Sequence, residues 1–242
     1  MKRVKSILTL LALAAITLSC TKERLIVTPS GNVTTVVKNL SGFNKIDVSS
    51  IATVYVTIAD TNQNVIVEAD DNIQSYVEIK KNNGILEIDL RDNLNIKGDP
   101  TLNVYVTAES INDLNADGAS SIVILNQLIE PHVGIRLSGA SRLIGFLMLD
   151  YLNTELSGAS NLNIEGSTNQ FDIHSSGASL MHGFGFETNV LDANLSGASN
   201  VSLQVSEELY VTASGASIVQ YKGDGVIVNQ QLSGGSKIIK VN

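Results

Sequence analysis

Apolar and polar residues alternate with a period of two along most of the chain after residue 38. Clear examples are the runs 54–58, 85–90 and 209–212. Alternation of this kind turns one side chain inward and the next outward, as in a half-buried β-strand. Residues 110–242 show no helical periodicity. The pattern therefore predicts an all-β protein.

A short motif of small residues returns at nearly constant intervals through the second half of the chain. "LSGAS" occupies 137–141, 156–160 and 195–199, and near-copies occupy 117–120, 176–179, 214–217 and 233–236. The successive motif glycines are 21, 19, 19, 20, 18 and 19 residues apart. Such spacing is typical of a solenoid in which each repeat is one coil. Together with the strand pattern, it predicts a single-stranded parallel β-helix of about 19 residues per coil.

The small residues of the motif have two readings. In the structural reading, glycine permits a bend with positive φ, alanine fills a narrow part of the core, and serine hydroxyls bond to the turn or to neighbouring coils. In the functional reading, the first serine of each motif contributes to an exposed hydroxyl stripe that binds a repetitive ligand such as a glycan. The candidate ligand-facing residues are Ser138, Ser157, Ser176, Ser196, Ser214 and Ser233. The two readings are compatible if these serines face outward.

Residues 38–110 lack the motif but have the same strand alternation. Asn83-Gly84 indicates a tight hairpin, because both residues tolerate the positive φ values of a type I′ turn. No linker separates this part from the repeats. We expect residues 38–110 to form irregular first coils or a cap, continuous with a repetitive solenoid at 111–242.

The N-terminus has the features of an export signal. A basic segment precedes the apolar run 7–18, which is too short for a confident membrane span but suits a signal peptide. Cys20 follows and is the only cysteine in the chain, so no internal disulfide can form. We expect a signal peptide at 1–19, lipid attachment at Cys20 and a tether at 20–37, which would anchor the protein at the bacterial outer membrane.

The composition of the chain limits the kinds of ligand that it is expected to bind. Aromatic residues make up 5% of the chain, Trp is absent, and the formal charge is −8. An acidic chain without clustered Lys and Arg argues against a nucleic-acid partner. The three histidines share no metal-ligand spacing. We expect no cofactor and no metal. A cation site could use the acidic turn residues Glu68, Asp70, Asp71 and Asp92, although such residues are usually just solvated.

Carboxylates on neighbouring coils raise the alternative of a carbohydrate-active enzyme. Asp172 with Glu155 or Glu187 could form an acid/base pair if their separation suits it. Enzymes built on β-helices usually have long loops that form a cleft, whereas the coils here are uniformly short. No nucleophile elbow is present either. We therefore expect a non-catalytic protein.

Several segments, in this order, resemble a known family. They are "GFNKIDVSSIATVYVTI", "EADDNIQSYVEI", "NNGILEIDL" and "LNADGASSIVI", followed by the "LSGAS" repeats. Over residues 40–235 the chain resembles the autotransporter-adhesin head domains, also called GIN domains, of Bacteroidetes lipoproteins. The resemblance implies a right-handed β-helix at the cell surface, and it implies no catalytic residues.

The sequence as a whole predicts a lipid-anchored envelope protein that acts as an adhesin-like binding or structural module. We expect its partner to be a glycan or another envelope protein, engaged along a flat face of the rod. Two alternatives remain open at this point. One is a carbohydrate-active β-helix enzyme, and the other is a scaffold whose ends stack on other copies of the chain.

Overall fold

A computed structural model describes residues 25–242. The predicted signal peptide and the lipid-attachment residue Cys20 lie outside the described residues. In the part of the chain that the structure describes, no helix is long and apolar enough to cross a membrane. The strands are β1 (Leu25–Val27), β2 (Val33–Lys38), β3 (Lys45–Val48), β4 (Thr53–Ile58), β5 (Asn64–Asp70), β6 (Val77–Asn82), β7 (Ile85–Leu90), β8 (Leu94–Ile96), β9 (Leu102–Ala108), β10 (Asp113–Ala116), β11 (Ser121–Leu137), β12 (Arg142–Leu156), β13 (Asn161–Ser175), β14 (Leu180–Leu195), β15 (Asn200–Ala213), β16 (Ile218–Lys222), β17 (Val226–Leu232) and β18 (Lys237–Lys240).

The second half of the chain is a parallel β-solenoid, as the repeat predicts. Strands β11 to β15 each pair in parallel with the next, and β15 pairs with both β16 and β17. Ser121 lies in register with Arg142, and Arg142 with Asn161. These offsets equal the spacing of the motif glycines. The prediction of an all-β solenoid with about 19 residues per coil is therefore confirmed.

Each motif forms a tight turn that stacks on the turn before it. In one example, the backbone N–H of Ser157 donates to Leu137 (2.9 Å) and that of Ala159 donates to Gly139 (2.7 Å). Gly158 has a φ of +71°, and a Cβ at this position would lie 2.5 Å from the Gly139 carbonyl oxygen. Only glycine satisfies both the left-handed φ and this close approach of two main chains.

The two serines and the alanine of the motif occupy different environments. The last serine of most turns is buried, and in several turns its hydroxyl donates to the carbonyl of the first serine, as Ser179 does to Ser176 (2.8 Å). Ala159 and its equivalents are exposed. The expectation that alanine fills the core is wrong, because the turn places alanine at its tip and returns the chain inward only at the last serine.

The core is a stack of aliphatic side chains, one layer for each coil. One inward column runs from Leu114 through Ile135 and Thr154 to Ile173, all of them buried. Thr154 interrupts this apolar column, and its hydroxyl has no hydrogen-bond partner in the described part of the chain. An unpaired polar atom inside a dry core lowers stability.

The first half of the chain stacks in an order that differs from its order in sequence. Strands β3 and β4 form one coil, which lies between β10–β11 on one side and β7 and β9 on the other. Antiparallel strands close this end, with β5 and β2 beyond β9, and β6 beyond β7. Asn83 and Gly84 make the predicted two-residue hairpin, with φ of 49° and 80°. This end of the rod is therefore capped.

Part of the predicted tether is held against this cap. Strand β1 pairs with β8, and β2 pairs with β5. The loop between them is fixed by the buried carboxylate of Asp70, which accepts from the N–H groups of Gly31 (2.7 Å) and Thr101 (2.8 Å). The tether therefore does not extend to residue 37. Residues 21–242 include every residue whose contacts are described here.

We predict that Gly158→Ala destabilises the protein by about 2–4 kcal/mol, because the new Cβ meets the Gly139 carbonyl and the φ is left-handed. The matched control is Gly134→Ala in β11, where φ is not left-handed and the nearest atom lies 3.8 Å away. Urea unfolding of residues 21–242 measures both changes. Equal midpoints for the two variants would contradict the role given to the turn glycines.

We predict that Thr154→Val stabilises the protein by about 1 kcal/mol, since it removes a buried hydroxyl that has no partner among residues 25–242. Thr188 is equally buried, but its hydroxyl donates to the Val190 carbonyl (2.9 Å). Thr188→Val should therefore cost about 1 kcal/mol. Thermal unfolding of both variants tests this opposition. A loss of stability in both would show that the hydroxyl of Thr154 has a partner.

Candidate functional site

The serines proposed as a ligand-facing ladder form a column along the rod, one on each coil. Five of them are half-buried and Ser233 is exposed. The members are Ser138, Ser157, Ser176, Ser196, Ser214 and Ser233. Toward the capped end, the register of β3, β10 and β11 continues this column with Asp117 and Ser49. The column is therefore longer than the motif alone indicates.

A second column runs beside the serines. It comprises the outward residue two positions before each of them, and it includes Glu155, His174 and Asn194 in successive coils. Between the two columns the chain turns a side chain inward, so the surface dips. A shallow depression of about 370 Å³ lies here, lined by Glu155, Leu156, Ser157, His174, Ser175, Ser176, Asn194 and Ser196. We call this depression and its continuation along the rod the axial groove.

The axial groove becomes acidic toward the capped end. A second depression of about 220 Å³ continues the same two columns, and it is lined by Asp47, Ser49, Glu78, Lys80, Glu87, Ile88 and Asp89. Burial raises the pKa of Asp47, and the nearby carboxylates of Asp117 and Glu87 raise it further. The Nζ of Lys80 lies 2.5 Å from a carboxylate oxygen of Glu78, and these two side chains form an ion pair.

Arg136 separates the acidic part of the groove from the hydroxyl-rich part. Its guanidinium lies 3.6 Å from a carboxylate oxygen of Asp113 on one side and 3.6 Å from one of Glu155 on the other. All three side chains are at least partly exposed, so solvent weakens these ion pairs. The arrangement orients Glu155 at the end of the hydroxyl-rich part.

A row of aromatic and acidic side chains flanks the axial groove. Tyr151 donates its hydroxyl to Asp172 (2.5 Å), whose other oxygen accepts from the side-chain amide of Gln170 (3.0 Å). The hydrogen bond to Asp172 raises the pKa of Tyr151 to about 12. Farther along, Tyr210 donates to Glu208 (2.8 Å). The phenols are thus held in fixed positions on the same face as the groove.

The register keeps Asp172 and Glu187 apart, but it leaves Glu155 diagonal to Asp172, two residues beyond its partner Asn153. Asp172 lies opposite Asn153 in one neighbouring coil and Asp192 in the other. Glu155 lies opposite His174, and Glu187 lies opposite Ser167. The hydrogen bonds from Tyr151 and Gln170 also occupy both oxygens of Asp172.

The histidines lie in separate places. His174 lines the axial groove, His132 meets the ring of Tyr151 edge-on at 5.8 Å, and His182 pairs with Asn163 and Ser202 in a different part of the coil. Among residues 25–242, no group of three His, Cys, Asp or Glu residues could hold a metal ion.

Most of the acidic residues considered for a cation site have structural partners. Asp70 fixes the loop between β1 and β2, and Asp71 accepts from the hydroxyl of Ser30 (2.6 Å). Glu68 accepts from Asn103 (2.8 Å) and Tyr105 (3.1 Å). The fourth, Asp92, lines a depression of about 570 Å³ formed by the loop around β8 at the capped end.

Sequence reasoning proposed the serines and considered Glu155 only as a possible catalytic carboxylate, and it did not place Glu155, His174 and Asn194 on one wall. These residues differ in type, so no motif marks them. Their signal was positional, because each stands two residues before the first serine of its repeat.

Comparison with known proteins finds a family model that matches most of the chain. Residues 42–225 match the model of a family described as "Putative auto-transporter adhesin, head GIN domain". No curated protein gives a significant sequence match.

Solved structures share the fold. A "putative adhesin" from Bacteroides fragilis is 21% identical, with a TM-score of 0.79, covering 88% of this chain and 97% of its own. A "putative lipid binding protein" from Parabacteroides distasonis is 18% identical, with a TM-score of 0.73, covering 90% and 100%. A "putative adhesin" from Parabacteroides merdae is 16% identical, with a TM-score of 0.67, covering 90% and 99%.

We predict that Asp47→Asn stabilises the protein at neutral pH. The folded state raises the pKa of Asp47, so its ionised form is disfavoured on folding and stability falls as pH rises through that pKa. Below pH 3.8, the ordinary pKa of the side chain, Asp47 is protonated in both the folded and the unfolded state. The advantage of Asn should therefore vanish there. Urea midpoints measured at pH 7 and pH 3 test this. An advantage that persists at pH 3 would show another cause.

Proposed function

This chain belongs to the family of GIN head domains, and from this membership and the axial groove we propose that it is a non-catalytic, adhesin-like binding module of the cell envelope. Its ligand is an extended glycan held along the groove. The observation that carries the proposal is the continuous, outward-facing pair of polar columns that runs parallel to the rod axis.

The spacing of the axial groove suits a repetitive chain. Successive coils present one serine hydroxyl and one larger polar side chain at intervals of about 4.8 Å. This step is close to the length of one pyranose ring in an extended polysaccharide. A glycan aligned with the rod would therefore meet equivalent partners at each sugar.

The chemistry of the groove also suits sugar hydroxyls. Ser157 and Ser176 can both donate and accept, Glu155 accepts, and Asn194 offers both an amide donor and a carbonyl acceptor. Tyr151 is half-buried beside the groove and presents an aromatic surface that can contact the apolar face of a sugar ring. The hydroxyl-rich part thus combines the two kinds of contact that neutral glycans use.

Two observations favour binding over cleavage. Glu187 lies in a different column from Asp172, and the oxygens of Asp172 already accept two hydrogen bonds. Strands β11 to β15 are joined only by the four-residue motif turns, which leave no loop to enclose a substrate.

The C-terminal end of the rod has features that bear on self-stacking in both directions. The edge strand β18 carries Lys237 and Lys240, and edge lysines oppose pairing with another sheet. The edge strand β17 instead exposes Val226, Val228 and Leu232, which favour it. Self-stacking is tested by light scattering of residues 21–242 against concentration, where a constant mass supports a single rod and a rising mass contradicts it.

The proposal includes a lipid anchor at Cys20 in the outer membrane. Leu25 begins β1, which pairs with β8 at the capped end. Four residues lie between Cys20 and Leu25, so the five steps from one to the other can span at most about 18 Å. An acyl chain at Cys20 would therefore hold the capped end near the membrane, and the hydroxyl-rich part of the groove would extend away from it.

We predict that an extended neutral polysaccharide shifts the ring resonances of His174 in NMR spectra of residues 21–242, and leaves those of His182 unchanged. A panel of purified β-linked glucans, mannans and acidic polysaccharides serves as the probe. Asn194→Ala should weaken binding about fivefold, the effect of one lost hydrogen bond. Gln220→Ala, on the strand face that carries His182, is the matched control.

Three results would contradict this function. They are no shift with any polysaccharide at millimolar sugar, a shift confined to His182, and equal weakening by both alanine variants. Breakdown of a polysaccharide during the titration would favour the enzyme alternative instead.

A further inference from the structure

Within residues 25–242, no strand covers one edge of the middle part of β11. Residues 127–132 pair with β12 on one edge. On the other edge, β11 pairs only at its two ends, with β4 at Ser121–Ile124 and with β10 at Gly134–Leu137. The preceding coil leaves the stack after Ile58 and rejoins it at Asp113, so in residues 25–242 it contributes no strand here.

The chain accommodates this gap locally. The side chain of Asn126 accepts from the N–H of Ile58 (2.9 Å) and donates to its carbonyl (2.8 Å), which closes the end of β4. Pro131, which lacks an N–H, is the one residue between 127 and 137 that the register with β12 omits. The remaining main-chain groups of 127–130 on this edge face no strand.

Apolar side chains cluster at the gap. Leu125, Ile129 and Met148 are 56%, 64% and 43% exposed, and Ile129 lies in register with Met148. In the next two coils the same column holds Ser167 and Glu187. A depression of about 370 Å³ is lined by Ile129, Glu130, Pro131, Met148, Leu149, Asp150 and Ser167. We call Leu125, Ile129 and Met148 the gap patch.

The surroundings of the gap patch are acidic. Glu130 and Asp150 border the depression, and only two basic residues, Arg136 and Arg142, occur between residues 118 and 217, against nine carboxylates. A partner with basic residues at this position would gain favourable electrostatic interactions. A partner protein with acidic residues at this position would be repelled.

We propose that the gap patch docks an extended segment of a partner protein, which adds as a strand beside residues 127–132. Its alternate apolar side chains contact Ile129 and Met148, and its flanking Lys or Arg residues face Glu130 and Asp150. Main-chain pairing with the free edge supplies affinity, and the apolar contacts select the sequence. This site is separate from the axial groove and does not depend on the glycan proposal.

Methionine methyl groups report directly on this site. Residues 21–242 contain Met148 in the gap patch and Met181 in the core, which is 0% exposed. In ¹³C-methyl spectra, a ten-residue peptide of alternating Val and Thr flanked by two Lys at each end should shift Met148 and leave Met181 unchanged. The same peptide with Glu flanks should bind at least about tenfold more weakly.

Ile129→Lys removes an apolar contact and adds a charge that repels the peptide, and it should weaken binding at least about tenfold. Val228→Lys is the matched control, because Val228 is also exposed but lies on the edge strand β17. Leu125→Lys is a second test should Ile129→Lys perturb the Met181 resonance. Polysaccharide binding through His174 should be unaffected by any of these variants.

Four outcomes would overturn the proposal. These are an unchanged Met148 resonance at millimolar peptide, equal binding of the two peptides, greater weakening by Val228→Lys than by Ile129→Lys, and a Met148 shift that follows protein concentration without peptide. The last outcome would assign the gap patch to a second copy of the chain.

Discussion

The structure depends on the close approach of main chains at the stacked glycine turns. The turn N–H groups bond to the preceding turn, and no Cβ fits between Gly139 and Gly158. Because this contact recurs once in each coil, it fixes where each coil turns and holds equivalent residues above one another. Aliphatic burial supplies most of the stabilisation of such a core, but the turns determine its alignment. In several turns a buried last serine, such as Ser179, completes the turn from inside.

The same constraint shapes the outer surface. Residues at a fixed distance from the glycine share one column, so substitutions on individual coils change the chemistry of the column without changing its path. Along the axial groove the chain uses this freedom to pass from carboxylates around Asp47 to hydroxyl and amide groups around Ser176. Where the stack is incomplete, beside residues 127–132, the result is instead a free edge with exposed apolar side chains. Both candidate surfaces therefore follow from how the coils stack.

Most of the repetitive fold could be predicted from the sequence, because glycine spacing and strand alternation are local signals. The direction of the alanines could not, since it depends on turn geometry. The insertion of β3 and β4 between later strands could not be predicted either, because pairing between residues far apart in sequence produces no periodic pattern. In the candidate site, the serines were visible as a motif. Glu155, His174 and Asn194 were not, because only stacking places such different residues on one wall.

Hydrogen–deuterium exchange with a bound envelope polysaccharide tests the central claim that stacking creates a ligand-binding groove. Residues 21–242 would be compared with and without the polysaccharide that binds most tightly. The account predicts added protection in the segments 155–160, 174–179 and 194–199, which lie side by side only in the folded stack. Protection confined to the strand face of Asn163 and His182, or to the capped end, would contradict it.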